Sequence, residues 1–494
     1  MDNQELKSKV VKGIIYNFSG SLLKNGITFI ISVFLSRILN PSDFGLIGMV
    51  TVFVTLAQGL SDLGLSSGLI KEKEPTDREM SSVFFFNIGI SIVLTLILYF
   101  SAGLIAKFYN NTEIEMVVKA ISFTFILNSL NNVHQTILYK NLELKISRIS
   151  SIISAIISGI VGLSFAYYGF GVWSLVYSTY ASSITAIIVI WYSSSWRPSF
   201  VFKLSDIKNL MPFGLKVFFV FYIDQIYTRI DIMIIGKIFT PSTLGYYFRA
   251  SSLNQLITKY SSQGLGGIFF PAISKLQGDI PRIIIVYKKA LNAICFLSFF
   301  ISGFLFLNAN EIIVLLFTSK WIPSVTYFQI LAFSSYAFPL TIIFNGVLLG
   351  TGNAGLQLKL EIIKKLFGLL GLIIGFYFGL KGYLWSIAFT ATIGLILSFS
   401  YIKKILGISI NSNLSDVYKY LIPLVSSTMA VLMIRYYIGS LNSLLLLFIS
   451  GLFYTIFYFY LSHRFKLLGY SIIYANLFSI CRNTIFLNKA KINS

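Results

Sequence analysis

The chain has 494 residues, of which 56% are hydrophobic and 12% charged, with a mean hydropathy of +0.79 and a formal net charge of +21. A soluble globular surface is about a quarter charged, so this composition excludes a water-soluble enzyme, and 46 Phe with 29 Tyr exclude low-complexity disorder. What remains is an all-α polytopic membrane protein, because the apolar runs are continuous where a β-barrel would alternate.

A bilayer core of about 30 Å takes about 20 apolar residues per helix. Punctuation by Gly, Pro, Asn and charge predicts fourteen spans, at about 13–38, 44–70, 82–107, 114–138, 148–168, 172–192, 209–238, 244–270, 287–308, 324–350, 362–379, 384–402, 418–438 and 443–462. In the first span, Asn17, Ser21, Lys24 and Thr28 share one face at helical spacing; in the second, Thr51, Thr55, Gln58, Asp62 and Ser66 do the same. The third is nearly free of ionisable groups, and His134 in the fourth reads as a polar packing residue. Pro212-Phe-Gly214 opens the seventh, which places Lys216, Asp224, Tyr227 and Asp231 in a narrow arc with Arg229 off it. The eighth aligns Ser252, Gln255, Lys259, Ser262, Gln263 and Gly266, with Arg249 at the edge. Pro339 predicts a kink in the tenth. Beyond 462 lies a tail whose stretch 467–486 predicts an interfacial helix.

Orientation follows from the connections. With the N-terminus placed in the cytoplasm, 27 of the 39 Lys and Arg fall in inside segments. Arg37, Lys107, Lys237, Lys320, Lys381 and Arg435 fall at outside ends, and six lie within helices. Both termini are therefore expected to be cytoplasmic, and the net charge is mostly topology rather than a nucleic-acid signal. Arg37, Asp43 and Lys237 read as interfacial caps and anchors.

The chain also repeats itself. Arg37-Ile-Leu-Asn-Pro41-Ser-Asp-Phe-Gly45 returns as Lys237-Ile-Phe-Thr-Pro241-Ser-Thr-Leu-Gly245, and Ser61, Gly64 and Leu65 fall on Ser261, Gly264 and Leu265. Leu142-Glu-Leu-Lys145 matches Leu356-Gln-Leu-Lys359, and Tyr167 to Ser174 matches Tyr377 to Ser386 with a small insertion. Spans 1–6 and 7–12 are thus two parallel copies, an N-lobe over 1–208 and a C-lobe over 209–404. The segment 405–494 adds two further helices and the tail. Repeats of this kind place a substrate site between lobes that rock against each other.

The polar stripes obey the duplication, since they occupy the first two helices of each copy. A charge near the bilayer centre costs about 2.5–3.5 kcal/mol on insertion scales. Lys24, Asp224 and Lys259 therefore either line a hydrated, net basic cavity or pair with neighbours, for example Lys24 with Asp62 or Lys216 with Asp224.

Several chemistries are missing. No Walker-type phosphate loop occurs, and no His/Cys cluster calls for a metal or other cofactor. Cys295 and Cys481 form no redox motif, and the polar start of the chain has no signal-peptide cleavage site. The acidic residues near the outside face, Asp43, Glu113, Glu115 and Glu311, offer no close pair for acid–base work, which weighs against an integral-membrane polymerase.

The segments LSRILNPSDFGLIGMVTVF (35–53), LSDLGLSSGLIKEKEPT (60–76), WRPSFVF (196–202), RIDIMIIGKIFTPSTLGYYFRA (229–250), FFPAISKLQGD (269–279) and FTSKWIPS (317–324) resemble the polysaccharide transporter (PST) family of the MOP flippase superfamily. That resemblance, over about residues 10–440, implies a bundle of six, six and two helices around a cationic cavity in a bacterial inner-membrane protein. It implies flipping of an undecaprenyl-diphosphate-linked oligosaccharide, an O-antigen, capsule or exopolysaccharide unit, to the outer leaflet, with the polysaccharide polymerase machinery as a partner. On these residues the diphosphate role falls to Lys24, Lys216, Arg249 and Lys259, with Arg229 less aligned. Thr51, Gln58, Gln255 and Gln263 would bond sugar hydroxyls, and Asp62, Asp224 and Asp231 would titrate for ion coupling or balance charge. The alternative is a drug/cation antiporter of the same superfamily, which would favour an acidic cavity; six intramembrane Lys/Arg against three Asp disfavour it.

Overall fold

A computed structural model describes residues 3–438 and 442–475, without the side chains of 3–15, 17, 220, 256, 257, 259–268 and 438. Among the described residues the chain is all α, and it divides into two compact units, Met1–Phe248 and Arg249–Ser494.

The first unit holds α1 (Asn3–Ile38), α2 (Pro41–Leu60), α3 (Leu65–Lys71), α4 (Asp77–Tyr109), α5 (Glu113–Ser122), α6 (Thr124–Lys140), α7 (Leu144–Tyr167), α8 (Val172–Ser193), α9 (Leu204–Ile238) and the first turns of α10 (Pro241–Lys275). Pro41 at the start of α2 is tolerated because the first helical N–H has no intrahelical acceptor, and Asp43 accepts from Asn40 N at 2.8 Å. Thr76 and Glu79 close a reciprocal capping box on α4. Small residues then bring helices together: a Cβ on Gly159 of α7 would sit 2.2 Å from Ile31 of α1, and α8 covers the other side of α7. The connector before α9 is bonded to α4, with Ser199 N donating to Ser81 Oγ and Lys203 N to Ser82 Oγ, both at 3.0 Å. Arg78 grips the buried Asp206 carboxylate through Nε at 3.0 Å and Nη2 at 3.2 Å. Leu65, Leu69, Val83, Phe84, Val133, Ile207 and Leu210 form the core here, flanked by Trp191 and Trp196. His134, fully buried among Phe84 and these tryptophans with Ser194 Oγ at 3.1 Å from Nδ1, is the packing residue expected.

The second unit holds the rest of α10, then α11 (Ile280–Leu307), α12 (Ala309–Phe317), a 3-10 turn at Ser319–Trp321, α13 (Ser324–Ser334), α14 (Ala337–Gly350), α15 (Ala354–Tyr377), α16 (Gly379–Leu406), α17 (Ile410–Tyr418), α18 (Leu421–Ile438) and α19 (Ser443–Arg464). Its core centres on α11, whose Tyr287, Cys295, Phe296 and Phe299 meet Leu340, Phe344 and Phe399. Two tyrosines of α19 bond spare lone pairs of α11 carbonyls: Tyr454 OH to Phe300 O at 3.2 Å and Tyr458 OH to Phe296 O at 2.9 Å. The break expected at Pro339 falls between α13 and α14, at Ser335–Tyr336, where a proline four residues on removes the helical bond to the Ser335 carbonyl.

Ten stretches among the described residues are long and apolar enough to cross a membrane, against the fourteen expected. Helix also covers the other four places, but α9, α10 and α15 carry several charges each, and α5 and α6 break at Phe123. The tail differs in part from the interfacial helix expected. Leu467 is buried, and Gly469 N donates to Tyr420 OH at 2.9 Å, so its start docks onto the unit; residues 476–486 lie outside the described residues.

The duplication is visible in the turns as well. Asn141, Leu142 and Glu143 N bond the carbonyls of Ile137, Tyr139 and Leu138, and Thr351, Gly352 and Asn353 N bond those of Val347, Leu349 and Leu348. The left-handed residue is Leu142 in the first turn (φ 60°) and Gly352 in the second (φ 80°). These turns correspond at a separation of 210 residues, so the Leu142–Lys145 and Leu356–Lys359 match lies about one turn later along α15 than along α7.

Candidate functional site

The predicted site residues stand on α1, α2, α9 and α10. In the first unit α2 lies along α9, and glycines permit close approach here, between α2 and α9, between the start of α3 and α9, and between the starts of α2 and α10. A Cβ on Gly64 would lie 2.1 Å from Gly214 O, one on Gly59 3.1 Å from the Tyr222 ring, and one on Gly45 1.8 Å from Pro241 O. The last contact is reciprocal, since a Cβ on Gly245 would lie 1.9 Å from Pro41 O. The repeated segment Pro41–Gly45 thus meets its own copy, Pro241–Gly245, where α2 and α10 begin. Lys237 Nζ donates to Phe108 O and lies 4.9 Å from the Phe108 ring centre, the anchoring role expected of it.

The structure sorts the polar stripes into two groups. In one group the side chains are engaged by the protein. Asp62 accepts from Ser66 Oγ at 2.7 Å, from Ser66 N at 3.2 Å and from Asn87 Nδ2 at 3.1 Å, which makes it the cap of α3 across the Leu63–Gly64 break. Asp231 accepts from Ile232 N at 2.7 Å and from Tyr247 OH. Thr51 turns its hydroxyl back to Ile47 O. Arg249 is 3% exposed, with its guanidinium carbon 4.9 Å from the Phe317 ring centre and 5.3 Å from that of Trp321. Burial against two ring faces gives this cation a π partner, so its guanidinium is sheltered inside the second unit.

The side chains of the other group are exposed or half-buried. Lys216 and Asp224 on α9, Gln58 on α2 and Gln255 on α10 are exposed, while Lys24 on α1 and Arg229 on α9 are half-buried. Gln255 Nε2 donates to Ser251 Oγ at 3.3 Å. The side chains of Lys259 and Gln263 lie outside the described residues. Because α2 and α9 are neighbours, Gln58, Lys216 and Asp224 belong to adjacent helices; Lys24 belongs to α1, which packs on α7. Among the described residues there is no group of three or more His, Cys, Asp or Glu that could hold a metal ion.

One residue of this region was missed by the stripe analysis. Arg148, at the start of the fifth predicted span, lies on α7 and donates to Ser21 Oγ at 3.3 Å and Tyr139 OH at 2.9 Å. The signal was Gly20 on α1, where a Cβ would lie 2.7 Å from the Arg148 stem.

The engagement of Asp62 has a measurable consequence. Losing a helix cap costs about 1 kcal/mol, and stranding a buried amide such as Asn87 adds about 1–3 kcal/mol. Asp62→Ala is expected to lower the unfolding midpoint of the detergent-solubilised protein clearly, and Asp62→Asn, which keeps an acceptor oxygen, to do so by less than half as much. A normal midpoint with lost activity in Asp62→Asn would make the charge, not the cap, the residue's role.

Residues 34–326 match the family described as "Polysaccharide biosynthesis protein", well over half of the chain. The chain is 22% identical over 418 residues to the lipopolysaccharide biosynthesis protein WzxC of Escherichia coli (strain K12), covering 82% of this chain and 83% of that one. It is 25% identical over 314 residues to the teichuronic acid biosynthesis protein TuaB of Bacillus subtilis (strain 168), with 62% and 63% covered. Among solved structures, the lipid II flippase MurJ in an inward closed conformation matches with a TM-score of 0.70 at 16% identity, over 92% of this chain and 100% of that chain. A multidrug resistance MATE family transporter of the MOP superfamily, inward-facing, matches with a TM-score of 0.59 at 15% identity, over 78% and 94%. These structural likenesses establish the fold, and the resemblance read from the sequence is borne out.

Proposed function

The chain belongs to the polysaccharide biosynthesis protein family, and on that footing we propose that it is a flippase of the bacterial inner membrane. It carries an undecaprenyl-diphosphate-linked oligosaccharide from the inner to the outer leaflet by alternating access, with both termini in the cytoplasm and the copies 1–208 and 209–404 as the moving lobes. It acts as a transporter and not as an enzyme. The names of WzxC and TuaB, both biosynthesis proteins for surface glycans, support the substrate class.

The observation that carries the reading is the exposed charge in the middle of a helix of membrane length. Lys216 and Asp224 flank the middle of α9, and the protein buries neither. Facing lipid there would cost about 2.5–3.5 kcal/mol each on insertion scales, so water must reach them. A hydrated cavity holding Lys24 and Lys216, with Lys259 on α10, attracts a diphosphate strongly because little water screens it. Gln58 and Gln255 supply amides for sugar hydroxyls. Asp62, Asp224 and Asp231 are the carboxylates available for ion coupling or charge balance.

The test is complementation of a flippase-deficient strain with Lys24→Ala, Lys216→Ala and their combination. Losing a charge-assisted hydrogen bond of about 1.5–3 kcal/mol means a ten- to hundredfold weaker hold on the diphosphate. Surface glycan is expected to fall accordingly at unchanged protein level, and Lys237→Ala to leave it intact. Normal glycan from the double variant would overturn the reading.

A further inference from the structure

A cavity of about 350 Å³ opens at one end of the second unit, away from the polar stripes. It lies where three connections meet: the turn from α10 to α11, the turn from α14 to α15, and the end of α16. Gln277, Thr351, Asn353 and Lys404 supply polar lining, and Ile280, Ile283, Leu356 and Ile405 supply an apolar floor. Charge bias assigns this end to the cytoplasmic interface.

The duplicated scaffold shows why a cavity exists here. In the first copy, the residue two before the left-handed turn residue Leu142 is Lys140, and its Nζ donates to the carbonyls of Leu69, Ile70 and Glu72 at the end of α3. A lysine therefore plugs that corner and satisfies the helix end. In the second copy, the residue two before Gly352 is Gly350, packed so closely that a Cβ would lie 2.6 Å from Ile273. The plug is absent, and the corner stays open.

What replaces it is a different donor set. Lys404 lines the cavity from α16 with an exposed side chain. Gln277, also exposed, approaches Gly352 so closely that its Nε2 would lie 3.4 Å from a Cβ there. Asn353 caps nothing with its side chain: Nδ2 turns back to Thr351 O at 3.2 Å and Thr351 Oγ1 at 2.9 Å. The acid beside the rim, Asp279, is held by Arg282 at 3.1 Å. Thr351 Oγ1 donates to Val347 O at 2.8 Å, so the lining offers one cation, Lys404, and one amide donor, Gln277, over a hydrocarbon floor. That combination fits a phosphate ester whose first carbons rest on Ile283 and Leu356.

We propose that this cavity is a second binding site, for a phosphate monoester or diester, with Lys404 pairing the phosphate and Gln277 donating to it. It stands apart from the transport reading, since no residue of the proposed translocation cavity takes part. Two sources share this chemistry, an anionic phospholipid headgroup and a soluble glycerol phosphate, and the assay separates them. Purified full-length protein is reconstituted in nanodiscs of phosphatidylcholine with or without phosphatidylglycerol, and lipid retention is read by native mass spectrometry. In parallel, sn-glycerol 1-phosphate is titrated by calorimetry into protein in phosphatidylcholine alone.

Retention of phosphatidylglycerol that falls at least tenfold in Lys404→Ala, and also falls in Gln277→Ala, supports the site with a lipid occupant. Binding of glycerol phosphate with the same dependence supports it with a soluble one. Lys403→Ala, a neighbouring cation that does not line the cavity, is the control and should change neither. Absence of binding in both arms, or binding indifferent to Lys404→Ala, overturns the proposal.

Discussion

Gly45→Val and Gly245→Val are each expected to part the starts of α2 and α10. The reason is that the atom each new side chain meets is a backbone carbonyl and not a side chain that can turn away. A Cβ at either position falls within 1.9 Å of a proline carbonyl oxygen, Pro241 O for Gly45 and Pro41 O for Gly245. Non-bonded heavy atoms rest at about 3.5 Å, so the helix starts must separate by roughly 1.5 Å. The surrounding packing is equally close, since a Cβ on Gly64 would lie 2.1 Å from Gly214 O of α9. Overpacking of this kind costs about 1–3 kcal/mol, and rigid partners on both sides put it at the upper end. In the proposed flippase the contact closes one end of the paired helices, so glycan export should fall with it. Alkylation of Ser42→Cys and Ser242→Cys, in a background lacking Cys295 and Cys481, reads the opening directly. Labelling should quicken several-fold in each valine variant. Unchanged labelling and an unchanged unfolding midpoint would show that the contact closes nothing.

This contact also marks how far sequence reading reaches. The segment Pro41–Gly45, returning as Pro241–Gly245, betrays a duplication, because chance rarely repeats Pro and Gly at one spacing. Nothing in a single sequence says that the copies touch each other, since reciprocity is a property of the packed pair. The same holds for the stripes. Helical spacing puts Thr51, Gln58 and Asp62 on one face, but a face can look toward water or back at its own chain. Asp62 looks back, and its signal was local: an acid four residues before Ser66, across Gly64 with φ 77°. Arg249 could not have been assigned this way, because Phe317 and Trp321 lie far along the chain. Helix class and helix positions were legible because hydropathy is nearly additive along a span. The number of crossings was less so, since α9 and α15 combine membrane length with a higher share of charge than the chain as a whole, and α10 with many uncharged polar residues.

Arg435→Ala is expected to be among the most destabilising single changes in the second unit, although sequence places Arg435 merely at a helix end. Its guanidinium donates to both oxygens of Glu311 at 3.2 Å, and to Asn308 Oδ1 and Ser450 Oγ at 2.8 Å. The side chains of Arg435 and Glu311 are 18% and 5% exposed, so little solvent screens the pair. Removing one partner from a buried ion pair costs about 3–5 kcal/mol, because the other charge stays buried without compensation. Three elements meet here: Asn308 and Glu311 begin α12, Arg435 ends α18, and Ser450 lies within α19. The network thus fastens the two helices that lie outside the duplication to the body of the second unit. Glu311→Ala should cost about as much as Arg435→Ala. The double variant should cost well under the sum, since deleting the second charge relieves the stranding caused by the first. Unfolding midpoints of the four proteins in detergent complete the cycle. Strict additivity would mean that each side chain contributes through its own packing and that the ion pair does not hold α18 and α19 in place.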